Sequence, residues 1–101
     1  MNRIHYSDIV TITRTGMIRC NVNMGRKMRG FNFVDYSYKD GYITMVCSAD
    51  SGAYKLTRRD GNSDIISMGA KSFLQSIGYT LGTIRQFDVV HDGIDTFKFN
   101  I

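Results

Sequence analysis

Seven cationic side chains carry the most legible chemistry in this chain. They are Arg14, Arg19, Arg26, Lys27 and Arg29 in its first third, and Arg58 and Arg59 in a later turn. Guanidinium and ammonium groups pair with phosphate oxygens, so a cluster of them favours polyanionic partners. Residues 1–34 hold six basic groups against the single Asp8, a balance of +5, whereas residues 35–101 hold seven against eight acids, a balance of −1. No acid stands between Asp8 and Asp35. Such a stretch raises the local positive potential. The plain alternative is a solvated face that only aids solubility.

Other chemistries find little support. His5 and His91 are the only histidines, and no HxxxH, CxxC or carboxylate pair at ligand spacing accompanies them, so no metal or cofactor is expected. Cys20 and Cys47 make no disulfide framework, and strand thiols of this kind are ordinarily buried. Asp88, Asp92 and Asp95 are explained by a turn and solvated loop edges, and no glycine run matches GxxxxGK(S/T). The expectation is a protein that is not an enzyme. Its 101 residues and 11.5 kDa are one domain's worth, 1–101, and 43% hydrophobic residues with 22% charged favour a packed core over disorder. No run reaches the roughly 20 apolar residues of a membrane helix, and no leader pattern is visible. A cytoplasmic protein without membrane contact is therefore expected.

The elements that must position these groups are mostly strands. Ile9 to Thr13 is β-branched throughout and stops at Arg14-Thr15-Gly16, and Met17 to Val22 follows as the second arm of a hairpin. Phe31 to Tyr38 turns through Lys39-Asp40-Gly41 into Tyr42 to Cys47. After a polar connector at 48–52 come a strand Tyr54 to Thr57, a turn Arg59-Asp60-Gly61-Asn62 and a short strand around Ile65-Ile66. Ala70, Phe73, Leu74 and Ile77 recur at helical spacing, with Ser67 to cap the start and Gly78 to end it. Ile84 to Val90, a turn His91-Asp92-Gly93 and Thr96 to Phe99 form a last hairpin.

The two halves echo each other, over about 8–47 and 53–101. Thr13-Arg14-Thr15-Gly16 matches Thr57-Arg58-Arg59-Asp60-Gly61, and Met24-Gly25-Arg26-Lys27 matches Met68-Gly69-Ala70-Lys71 at an offset of 44. Lys39-Asp40-Gly41 matches His91-Asp92-Gly93 at an offset of 52. A unit of four short strands cannot bury its own apolar faces and needs a second copy. In the matched Met-Gly-x-Lys segments the methionines are expected in the core and Lys27 and Lys71 near helix starts, where amides favour an anion. Arg26 and Arg29 make the first copy the stronger phosphate candidate.

This pattern resembles the swapped-hairpin domain of AbrB and SpoVT-type bacterial regulators. Val10-Thr11-Ile12, Gly16 and Ile18 fall on that family's opening, and Lys71, Phe73, Leu74, Ile77 and Gly78 fall on its helix and stop. The resemblance implies an α+β, mostly β fold: two swapped-hairpin-like halves forming a small pseudo-dimeric barrel with one or two short helices. It also implies DNA as partner. Met17 stands where the family usually has Arg, Asn21 where it usually has Pro, and Gly30 is shifted by one position. These departures touch the DNA contacts more than the fold.

Arg29 to Tyr36 also resembles the RNP1 strand of RNA-binding domains, and Thr15 to Arg19 the opening of cold-shock domains. On that reading Phe31, Phe33, Tyr36 and Tyr38 present rings for stacking bases or for an interface. Asn32 replaces the small residue of the motif, Cys20-Asn21 replaces the stacking Trp-Phe pair, and the aromatics serve equally well as core. The sequence thus ranks three expectations. First is a small regulator binding double-stranded DNA through the basic face, as a monomeric pseudo-dimer or a homodimer. Second is a phage or mobile-element accessory protein that binds and inhibits a host protein, with Tyr36, Tyr38 and Tyr42 suited to an interface. Third is a single-stranded nucleic-acid binder.

Overall fold

A computed structural model describes residues 7–60 and 64–101. Ten elements follow in the order β1 (Ile9–Ile12), β2 (Met17–Cys20), α1 (Val22–Lys27), β3 (Phe33–Lys39), β4 (Tyr42–Ser48), β5 (Tyr54–Arg58), β6 (Ile66–Gly69), α2 (Lys71–Ser76), β7 (Arg85–His91) and β8 (Thr96–Asn100). The eight strands close into one antiparallel barrel in the order β1-β2-β6-β5-β3-β4-β8-β7. The β3–β5 ladder is the shortest, two pairs at Phe33 and Val34, so the rest of β3 pairs with β4 alone.

Alternation along each strand fills the barrel. Val10 and Ile12, Ile18 and Cys20, Ile43, Met45 and Cys47, and Phe97 and Phe99 point inward and are buried, while their chain neighbours face out. Eight strands enclose a space that such side chains can fill. Each fully buried aliphatic or aromatic residue contributes about 1.5–3 kcal/mol relative to exposure. The two helices add Met24 and Leu74 to the same core, with Met28 at the C-cap of α1.

Local chemistry accounts for the joints. Lys39 pairs with Tyr42 across a two-residue loop, in which Asp40 (φ 51°) and Gly41 (φ 84°) both take the left-handed conformation of a type I′ turn. Asn21 caps α1 by accepting from the Met24 amide at 3.0 Å.

Several sequence expectations shift. The third strand begins at Phe33, not Phe31, and β6 runs to Gly69 instead of centring on Ile65-Ile66. Ser67 lies within β6, and α2 has Ala70 at its N-cap, with no side-chain cap. Gly78 does follow the C-cap Ile77, at φ 80°. The Met-Gly-x-Lys match does not correspond in space. Met24 to Lys27 is helix α1, whereas Met68 and Gly69 are strand β6. Lys71 opens its helix, but Lys27 closes the other, so the anion-favouring placement at a helix start does not apply to Lys27. Gly61 and Asn62 of the expected turn lie outside the described residues.

Candidate nucleic-acid interface

Six of the seven cations divide between two places set by the β2–β6 ladder. That ladder pairs Met17 with Gly69 at one end and Cys20 with Ile66 at the other, so the β1–β2 and β5–β6 turns lie at opposite ends of it, about 10 Å apart. Arg14 is exposed on the first turn, which packs on the start of α2 as the Gly16 carbonyl accepts from the Ala70 amide at 2.9 Å. The other turn gathers arginines. Asp64 sits against α1 so closely that a Cβ on Gly25 would overlap its carbonyl oxygen.

Arg29 grips the Asp64 carboxylate with two donors, Nε at 2.9 Å and Nη2 at 2.7 Å, and Arg26 approaches it at 3.9 Å. The hydrogen bond from Arg29 holds the Asp64 carboxyl below its ordinary range, and the positive charges of Arg29, Arg26 and Arg58 add to this against an opposing effect of burial. Arg58 turns inward and donates from Nη2 to the carbonyls of Met28, at 3.1 Å, and Phe31, at 2.6 Å. It satisfies the Phe31 carbonyl and adds a second donor to the Met28 carbonyl, which also accepts from the Phe31 amide at 3.1 Å. Lys27 leaves the cluster altogether and pairs with the buried Asp8 at 2.8 Å.

Arg19 and Arg59 behave differently. Neither side chain has a hydrogen-bond or ion-pair partner among the described residues. Both line one surface pocket of about 370 Å³, together with Thr57, Ile65, Ile66 and Ser67. Arg19 faces Ser67 and Ser67 faces Thr57 across adjacent ladders, so these three form one row on the outer surface of β2, β6 and β5. Asp64, Thr57 and Ser67 carry no signal of this role in sequence. Only the strand register brings Ser67 beside an arginine 48 positions earlier.

The four aromatics do not share a face. Tyr36 and Tyr38 pair with the inward-facing Met45 and Ile43, which places Phe33 on the opposite side of β3. Tyr36 packs on Tyr54 and Phe73 at centroid distances of 4.8 and 5.1 Å and donates its hydroxyl to the Gly69 carbonyl at 2.9 Å. Phe31 packs on the core from the loop before β3. Phe33 lies under the 49–53 connector, where a Cβ on Gly52 would press on it. Tyr38 alone is open, 44% exposed, and Tyr42, equally exposed, lies on the other face of the hairpin.

Elsewhere, burial pushes the Cys47 thiol up to about 12, with the Asp95 charge adding to it, and burial raises Cys20 as well. Among the described residues, no group of three His, Cys or Asp side chains is placed to hold a metal ion, and no helix is long and apolar enough to cross a membrane. Comparison of the chain with protein-family models, curated proteins and solved structures finds no match.

Proposed function

We propose that this chain is a small nucleic-acid-binding protein that contacts double-stranded DNA through the arginines around the β5–β6 turn, in the manner of a regulator. One observation carries the reading. Arg19, Arg26, Arg29, Arg58 and Arg59 converge on a turn that holds only Asp60 and Asp64 among the described residues, a local excess of three positive charges. Arg19 and Arg59 are unpartnered within that group, so their donors are available to phosphate oxygens. Arg14, at the far end of the ladder, would be a separate contact. Arg58, turned toward backbone carbonyls, and Lys27, paired with Asp8, would contribute charge more than direct contacts.

The chain would be a pseudo-dimer of two swapped-hairpin halves. Advancing every strand number by four turns the barrel order into itself read backwards, which is what a two-fold axis between two like halves requires. Among the described residues the two hairpins of each half share no ladder, and each pairs outward with strands of the other half.

Fluorescence anisotropy of nuclease-treated protein with mixed-sequence duplex DNA tests the function. Binding at low salt that weakens linearly in log–log salt titration is expected. Absence of any binding at low salt overturns it. A second reading, a module that binds a host protein, draws on Ile84, Val90 and Ile94, exposed by 59%, 63% and 84%. It predicts one stoichiometric protein partner that survives nuclease treatment.

A further inference from the structure

We propose that the pocket over β6 is a seat for a single phosphoryl group, held between Arg19 and Arg59 and completed by the hydroxyls of Ser67 and Thr57. The inference takes nucleic acid as the source of that phosphate from the proposed function, but the seat itself is argued from the pocket.

β2 and β5 flank β6, so their backbones stand about 9.6 Å apart, two strand spacings. Arg19 projects from one side and Arg59 from the other, where the chain leaves β5. Long flexible stems let two guanidiniums lean in from positions so spaced and meet over the strand between them. Ser67 lies directly between Arg19 and Thr57 in the row, so two hydroxyls stand on the floor below that meeting point. Ile65 and Ile66 supply the rest of the lining, and among the described residues no acidic side chain contributes to it.

Each part of this lining selects for the same ligand. Two guanidiniums offer forked donors that match the oxygens of a tetrahedral oxyanion, and hydroxyls can donate to the oxygens that remain. An amine or metal cation would meet only like charge. The volume of about 370 Å³ lies near the lower end of small-ligand pockets, which suits a phosphoryl group with its ester carbons resting on Ile65. The neighbouring cations are partly engaged, since Arg29 pairs with Asp64, Arg26 lies 3.9 Å from it and Arg58 holds backbone carbonyls.

A seat in which two arginines share one phosphate has a distinctive signature. After either is removed the other still pairs with that phosphate. The salt slope of duplex binding should therefore change little in Arg19→Gln and in Arg59→Gln and fall by about 1 in the double variant. Both side chains are exposed, and thermal midpoints equal to that of the parent protein confirm that each variant is folded. Slope losses that add to about 2 in the double variant mean two separate phosphates and overturn the shared seat. An unchanged slope in the double variant, with duplex binding retained, overturns the seat and leaves the nucleic-acid reading standing. If the parent protein binds no duplex, that reading falls and pyrophosphate decides the seat. Saturable NMR shifts at the Ser67 and Thr57 amides, lost in the double variant, then support a seat for free phosphates. No shift overturns it.

Discussion

Arg58 looks from sequence like one of a pair of equivalent surface arginines, and the structure gives it a different task from its neighbour. Replacing it with Met keeps most of the apolar stem and removes only the guanidinium. The Phe31 carbonyl, at 2.6 Å, then loses its donor, while the Met28 carbonyl, at 3.1 Å, loses one of two and keeps the Phe31 amide, where α1 gives way to β3. A hydrogen bond to a charged group is worth about 1.5–3 kcal/mol, and an acceptor that water can still reach recovers part of that. The expected loss is about 1.5–3 kcal/mol, nearly all of it from the Phe31 carbonyl. For a domain of this size that lowers the thermal midpoint by roughly 8–15 °C. Urea denaturation at neutral pH measures the loss, with Arg59→Met as the reference, since Arg59 has no side-chain partner among the described residues. The reference should stay within about 0.5 kcal/mol of the parent protein, as surface substitutions do. An Arg58→Met protein as stable as the Arg59→Met protein would refute the anchoring role, and Arg58 would return to the set of exposed cations.

Gly25→Ala reverses the usual sign for a helical glycine. Alanine ordinarily favours a helix, but here its Cβ would overlap the Asp64 carbonyl oxygen, so a loss of about 1–3 kcal/mol is expected on denaturation, and a gain would contradict the packing. The Asp64 carboxyl is held low by Arg29, so its stabilisation is fully present above the unfolded value near pH 4 and disappears as pH falls through the lower folded value. The stability difference between the parent and Asp64→Asn proteins should be constant from about pH 7 to 5 and shrink below about pH 4. A difference that persists to about pH 2 would contradict the pairing. Burial and raised thiol pKa values predict that Cys20 and Cys47 resist an aromatic disulfide reagent at pH 8 in the folded protein and react fully in denaturant. Stoichiometric labelling of the native protein within minutes would count against that burial.

Much of the barrel is written locally. β-branched and aromatic residues at alternate positions mark the strands because a pleated strand turns successive side chains to opposite faces. Asp40-Gly41 marks its hairpin because that turn needs two left-handed residues. The same rule of alternation already separates Phe33 from Tyr36 and Tyr38, since an odd spacing within one strand places them on opposite faces. Where local rules compete, the tertiary structure decides. Ser67 is a good helix cap by type, yet it lies in β6, because Ile66 and Met68 on either side of it reach the core only from a strand.

The basic first third of the chain is likewise a property of the sequence, and so is the absence of any local catalytic motif. Which of those charges are free is not. Arg29 meets Asp64, 35 residues away, and Lys27 meets Asp8, 19 away, whereas Arg19 and Arg59 share one pocket without a salt-bridge partner among the described residues. Charge is carried by the residue, but pairing depends on which strands lie side by side. That order was set by closing eight strands into a ring, a non-local event that no short stretch of this chain encodes.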